Sequence, residues 1–178
     1  MRITWFAAMT FRIHIAGRII VTHPEGAPPD VDRAELVAGA QTILAHEDME
    51  LPDFEPLHWR PRKRVRLIDA AEGVEGLNLY RLGSRGVVAD SSDEGLLVVD
   101  DARALTQFNR WADNAVVVVS GTGAQCGAHG TALLDIARPK LIAMAVTDGD
   151  LDIAFEILAP LIGGTSLLAL EPGMALET

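Results

Sequence analysis

The stretch ADNAVVVVSGTGAQCGAHGTALLDIARPKLIAMAV, residues 112–146, contains the clearest succession of structural elements in the chain. Its run of four valines is β-branched and continuous, which is typical of a strand buried on both faces. A Gly-rich turn, a helix over 130–137 and a second apolar strand over 140–146 are predicted to follow. Residues 150–162 then place apolar side chains at helical spacing, and Pro160 predicts a kink or an early end of that helix. We therefore expect buried strands to alternate with helices in the last third of the chain.

The part of the chain before this stretch is richer in predicted strands. Alternating patterns indicate two or three strands within 2–22, and a short helix is predicted at 33–40 with Asp30 or Asp32 as its cap. The other predicted strands, each marked by an apolar run, cover residues 41–45, 65–69, 77–83, 85–90 and 95–100.

Composition limits the possible partners. The chain has 178 residues, and we expect residues 1–178 to form a single domain, because a chain of this length can bury one core. The one cysteine, Cys126, excludes an intramolecular disulfide and a Cys-rich zinc module. A net charge of −10 disfavours binding to nucleic acid or anionic lipid. No run approaches the roughly 18 apolar residues of a membrane span, so we expect a cytoplasmic protein with no nucleic-acid or membrane partner.

The run RPRKRVR, residues 60–66, is the exception to this acidic character, with five basic residues in seven. We interpret it as a solvated edge strand or loop that carries protective charges. An anion-binding patch is the alternative.

The Gly-rich stretch has two further interpretations. A strand leads into Gly121-x-Gly123, a helix follows, and Asp148 comes after the next strand, which is a possible dinucleotide-binding arrangement. Cys126 stands where that pattern needs its third glycine, so we favour a strand-to-helix turn that uses glycine for its backbone angles. Cys126 and His129 are also a possible nucleophile and base pair. We favour a structural, buried cysteine, because cysteine is among the most buried residue types.

The segment TILAHEDMELPD, residues 42–53, is the strongest candidate for metal chemistry. After a short apolar strand, it places His46, Asp48 and Glu50 at every second position. Imidazole and carboxylate groups are good ligands for divalent cations. The segment is therefore a working metal site, the remnant of one, or a polar loop.

The order of these pieces resembles the metallo-β-lactamase superfamily, in particular its lactonase-like branch. In that superfamily a strand followed by His-x-His-x-Asp-His binds one or two metal ions that activate water. The other segments that carry the resemblance are the opening strands 1–24, with His23-Pro24 in place of the usual Asp-Pro, the strand 95–105, with Asp101 matching the bridging aspartate, the stretch 112–146, and the closing strand and turn 168–177. The resemblance implies an α+β fold, a shortened αββα sandwich of two packed mixed β-sheets with outer helices.

The departures from the family pattern remove most of the metal-binding imidazoles. His46 keeps the first histidine, but Asp48 replaces the second, Glu50 the aspartate and Leu51 the last histidine. There is no histidine between His58 and His129, where the family has its middle ligand. Ala145 stands in place of the final one. The ligands that the resemblance leaves are His46, Asp48, Glu50 and Asp101, a set that suits Mg²⁺ or Mn²⁺ better than Zn²⁺.

These departures predict a protein of this fold without a catalytic centre or cofactor, with a binding, regulatory or assembly role. A homo-oligomer is expected to cover the surface that trimmed loops expose. The first alternative is a metal-dependent hydrolase with a carboxylate-rich site that binds Mn, Mg or Zn. The second is a nucleotide-binding protein that uses the loop of Gly121 and Gly123.

Overall fold

A computed structural model describes residues 1–45, 50–60, 76–104 and 106–178. These residues form two β-sheets. In spatial order, the first sheet contains β11 (Ala175–Glu177), β1 (Arg2–Ala7), β2 (Thr10–Ile15), β3 (Arg18–Thr22) and β4 (Thr42–Leu44). The second contains β10 (Ser166–Ala169), β9 (Leu141–Ala145), β8 (Val116–Ser120), β7 (Gly95–Asp101), β6 (Gly86–Ser91) and β5 (Leu77–Leu82).

Both sheets are mixed. In the first, β3 and β4 are parallel and the other pairs are antiparallel. In the second, β7, β8, β9 and β10 run parallel to one another, whereas β5, β6 and β7 pair antiparallel. The valine run forms β8 at the centre of the parallel strands and is buried throughout, as its continuous hydrophobicity predicts.

Two hydrophobic cores lie between the layers of the structure. The first lies between the sheets and includes Phe11 from the first sheet and Val118 from the second. The second lies on the other face of the second sheet, against the helices α2 (Gly123–Ile136) and α3 (Asp148–Leu158). The outer face of the first sheet carries the short helix α1 (Arg33–Val37), where the Arg12 guanidinium donates to the carbonyls of Leu36 and Ala38. The predicted fold class, two packed mixed sheets with outer helices, is therefore confirmed.

Most predicted elements are present within the described residues. Asp32 rather than Asp30 caps α1, accepting a hydrogen bond from the Ala34 N–H at 2.8 Å. Helix α3 ends at Leu158, before Pro160, as predicted. The predicted strand at 65–69 and residues 61–66 of the basic run lie outside the described residues. Among the residues that are described, no helix is both long enough and apolar enough to cross a membrane.

The prediction for α2 was wrong in its start and in the role of its glycines. The helix begins at Gly123 rather than at residue 130, because Thr122 and Gln125 form a capping box. A Cβ atom at Gly123 would lie 2.1 Å from the backbone oxygen of Asp150 in α3. Cβ atoms at Gly127 and Gly130 would also come within 3.0 Å of α3 side chains. These glycines therefore allow the close approach of two helices and do not supply left-handed backbone angles.

Candidate functional site

Three residues form a row across the carboxyl ends of the parallel strands. Asp101 on β7 pairs with Ser120 on β8, which pairs with Ala145 on β9. The residues two positions earlier on each strand belong to the core between the sheets, so the row faces that side. Ligands in sheets of this kind bind outside the carboxyl ends of the strands. This edge is therefore a candidate ligand-binding site.

Asp101, the predicted bridging aspartate, is held by arginine. Its Oδ1 atom accepts hydrogen bonds from Arg103 Nε at 2.8 Å and from the Arg103 backbone N–H at 3.1 Å, and its Oδ2 accepts from Arg103 Nη2 at 2.8 Å. Arg85 Nη1 lies 3.7 Å from the same Oδ2 atom. Burial alone would raise the pKa of Asp101, but the contacts with Arg103 and the charge of Arg85 outweigh it and lower the pKa. The carboxylate is therefore ionised and both of its oxygens are engaged.

His23 connects the first sheet to this cluster. Its imidazole is 1% exposed, and its Nε2 atom donates to the Arg85 carbonyl at 3.0 Å. Its backbone adopts a left-handed φ of 45°, and its N–H donates to Leu44 on β4. His23 is thus structural. It fixes the turn from which Arg85 reaches Asp101.

A cavity of about 300 Å³ lies beside the row. The turn between β1 and β2 covers it, because the Ala8 carbonyl accepts hydrogen bonds from Ser120 Oγ at 2.7 Å and from Trp5 Nε1 at 3.1 Å. Ala8 has a left-handed φ of 42°, a conformation that costs energy outside glycine and often accompanies functional sites. The lining residues are Trp5, Ala8, Arg103, Ser120, Gly121, Thr122, Gln125, Ala145, Thr147 and Asp150.

The first backbone N–H groups of α2, which also borders the cavity, donate hydrogen bonds to side chains of the protein itself. The Thr122 N–H donates to Gln125 Oε1, the Gln125 N–H to Thr122 Oγ1, and the Gly123 N–H to Asp150 Oδ1 at 2.9 Å. Asp150 also accepts from Thr147 Oγ1 at 3.1 Å. A carboxylate thus occupies the position that a phosphate takes at a dinucleotide-binding helix. The geometry does not support the nucleotide-binding alternative.

Cys126 and His129 do not form a nucleophile and base pair. Cys126 is fully buried, and this burial, reinforced by nearby carboxylates, raises the pKa of its thiol to about 12. The His129 imidazole donates from Nδ1 to Asp100 Oδ2 at 2.9 Å and also hydrogen-bonds the backbone of Ala104. The hydrogen bond to Asp100 raises the pKa of His129, against the effect of burial. Cys126 is therefore the structural cysteine that we predicted, and His129 anchors α2 to β7.

The four predicted metal ligands do not all fall within the described residues. His46 and Asp48 lie outside them. Glu50 is exposed in the segment after β4, whereas Asp101 is 4% exposed and bound by arginine. Within the described residues, no three His, Cys, Asp or Glu side chains are grouped so as to hold a metal ion. At this edge the structure places Asp101 against the guanidinium groups of Arg103 and Arg85.

The sequence prediction missed the residues that give the edge its charge. Arg103 follows Asp101 by two positions, and this spacing is a usable signal because an arginine can fold back onto a nearby carboxylate. Arg85 has no such signal, since only the pairing of β5, β6 and β7 brings it to Asp101. Asp150 lies in the first turn of α3, but its contact with Gly123 depends on the packing of two helices.

Comparison with solved structures finds a similarity to Igni18, described as a novel metallo hydrolase from the hyperthermophilic archaeon Ignicoccus hospitalis. The two chains share 12% sequence identity with a TM-score of 0.49, and the alignment covers 99% of this chain and 98% of that chain. No protein-family model and no curated protein matches the sequence. The similarity is one of overall structure only. The two sheets and the register of their strands define the fold.

Proposed function

We propose that this chain is a non-catalytic, metal-independent binding protein, a degenerate member of the lactonase-like branch of the metallo-β-lactamase superfamily. The observation that carries the proposal is the engagement of Asp101 by Arg103 and Arg85. In the family that the sequence resembles, the matching aspartate is a metal ligand. Here the positive charge beside it comes from two side chains of the protein.

Guanidinium groups cannot replace the chemistry of a metal. A catalytic metal needs about three protein ligands and an open position for water. A guanidinium group donates hydrogen bonds and holds its charge at every physiological pH, but unlike a metal ion it has no open coordination position at which water would bind and be activated. Ala145, in the position of the family's final histidine, offers no ligand atom. The edge therefore has positive charge beside Asp101 but no group that activates water as a metal ion does.

The cavity beside the row supports a binding role for this edge. It combines apolar walls from Trp5 and Ala8 with a few polar groups, as small-molecule sites generally do. Its position outside the carboxyl ends of parallel strands is also the usual position for a ligand. We therefore place the binding function in this cavity.

Metal analysis tests the proposal. Protein purified without a histidine tag is analysed for bound metal and then titrated with Mn²⁺ and Zn²⁺ by calorimetry. We expect no stoichiometric metal and no binding at submillimolar concentrations. Asp48→Ala and Asp101→Asn serve as comparison variants, since each removes one predicted ligand. Tight binding to the native chain that either variant abolishes would support the carboxylate-rich hydrolase alternative and contradict the proposal.

A further inference from the structure

We infer that the cavity beside Asp101 binds a small zwitterion, with a carboxylate held by Arg103 and an amino group held by Asp150. The inference rests on the proposed function, since it names the ligand class of the same cavity. It starts from the fact that the cavity is lined by one cationic and one anionic side chain, each fixed by other contacts.

The guanidinium group of Arg103 is preorganised to bind a carboxylate. One edge of its guanidinium, formed by Nε and Nη2, donates two hydrogen bonds of 2.8 Å to the oxygens of Asp101. Its Nη1 donors have no partner among the described residues, and half of the side chain remains exposed. A guanidinium has five N–H donors in fixed directions, so the fork on Asp101 also orients the remaining donors. A ligand carboxylate that accepts them meets a cation that needs no further ordering.

Asp150 supplies the opposite charge. The Gly123 N–H and the Thr147 hydroxyl each donate to one of its oxygens, which fixes the carboxylate at the start of α2. The carboxylate also lies at the positive end of the α2 dipole. Each carboxylate oxygen has a second lone pair, so Asp150 can still accept a hydrogen bond from an ammonium group.

The space between these charges is small and partly apolar. Ligand sites generally occupy about 300–1,000 Å³, and this cavity lies at the lower limit with about 300 Å³. Trp5, Ala8 and Ala145 contribute its apolar surface. A ligand of amino-acid size is compatible with this volume and carries one charge of each sign.

Thermal shift and calorimetry on the full chain test this inference. The probes are the twenty L-amino acids of proteins, β-alanine and γ-aminobutyrate, each at about 10 mM, because a ligand that binds only the folded state stabilises it by RT ln(1 + [L]/Kd). We expect at least one probe to raise the unfolding temperature. The analogues of that probe without the amino group or without the carboxylate should bind at least about tenfold more weakly. No shift with any probe, or equal binding of the deaminated analogue, overturns the inference.

Variants of Arg103 and Asp150 test whether these two side chains bind the ligand's carboxylate and amino group. Arg103→Gln and Asp150→Asn are each expected to weaken binding by at least about tenfold. Arg110→Gln is the matched control, since Arg110 also pairs with an aspartate but is not part of the cavity lining. If Arg103→Gln does not fold, Asp150→Asn and the analogue series still decide the question. Unchanged binding in Asp150→Asn overturns the inference. Failure of zwitterion binding without metal binding leaves the proposed function standing, whereas metal binding at Asp101 removes both.

Discussion

Replacing Arg103 with methionine is the perturbation that most directly probes the Asp101 cluster. The substitution keeps most of the apolar stem but removes the fork of hydrogen bonds to both carboxylate oxygens. Asp101 is then left, 4% exposed, with the backbone N–H of residue 103 and with Arg85 at 3.7 Å. A buried carboxylate that loses its main partner destabilises the folded state.

The size of the effect follows from these contacts. A hydrogen bond to a charged group contributes about 1.5–3 kcal/mol, and Arg103 makes two through its side chain. Because half of that side chain is exposed, solvent screens the interaction, and Arg85 retains part of the attraction. We therefore expect Arg103→Met to lower the free energy of unfolding by about 2 kcal/mol at pH 7.

Urea unfolding measures this value, with Arg110→Met as the control. The Arg110 side chain is 82% exposed, so its pair with Asp113 should contribute less than about 1 kcal/mol. The lowered pKa of Asp101 stabilises the native protein above the unfolded value of 3.8, and that contribution is lost as the pH falls. The difference between native protein and Arg103→Met should therefore shrink below about pH 4. Equal effects of the two substitutions, or a difference that does not change with pH, would refute the reasoning.

Two further predictions concern the helices. Gly123→Ala should destabilise the protein by about 1–3 kcal/mol or more, because its Cβ atom would lie 2.1 Å from the Asp150 backbone oxygen. Gly149→Ala in α3 meets open space and should gain up to about 1 kcal/mol in urea unfolding; equal effects at both positions would contradict the packing argument. His129, whose pKa is raised mainly by Asp100, contributes stability that is complete below its unfolded pKa of 6.5 and is lost as the pH rises through the folded value. The stability difference between native protein and His129→Gln should therefore decrease from pH 6 to pH 9, and a constant difference would contradict this role.

The strands were predictable because their signals are local. The valine run before Ser120 is hydrophobic on both faces, and this pattern distinguishes a central parallel strand from an edge strand without knowledge of its neighbours. The alternating residues of β2 likewise specify one buried and one outward face. For these elements, the sequence contains the information that sets the structure.

The start of α2 was not predictable in the same way. Glycine disfavours helix by about 1 kcal/mol relative to alanine, so the segment 121–130 indicates a turn when considered alone. The capping box of Thr122 and Gln125 is a local signal for the start at Gly123, and the prediction did not use it. The close approach of α3 to Gly123 and Gly127 comes from residues more than twenty positions further along the chain, and no local pattern shows it.

The candidate site was found in part. Asp101 could be identified through the family resemblance, which matches it to the bridging aspartate. Its partners could not, since Arg85 reaches it through strand pairing and Trp5 covers the cavity from the other sheet. The prediction of a lost metal site rested on missing histidines, whereas the structure adds a positive feature, the arginine pair that engages the carboxylate.

The most direct test of the account is an NMR titration of the Arg103 side chain with Mn²⁺. The fork on Asp101 should protect the Arg103 Nε–H from exchange, giving a resolved signal that Arg103→Met removes. A bound Mn²⁺ ion broadens nearby signals, so the resonance reports directly on metal binding at Asp101. We predict that the signal persists unchanged at submillimolar Mn²⁺, with Arg110 as the exposed reference. Selective broadening of the Arg103 and Ser120 signals at stoichiometric Mn²⁺ would contradict the central claim that arginine, and not a metal, occupies this carboxylate.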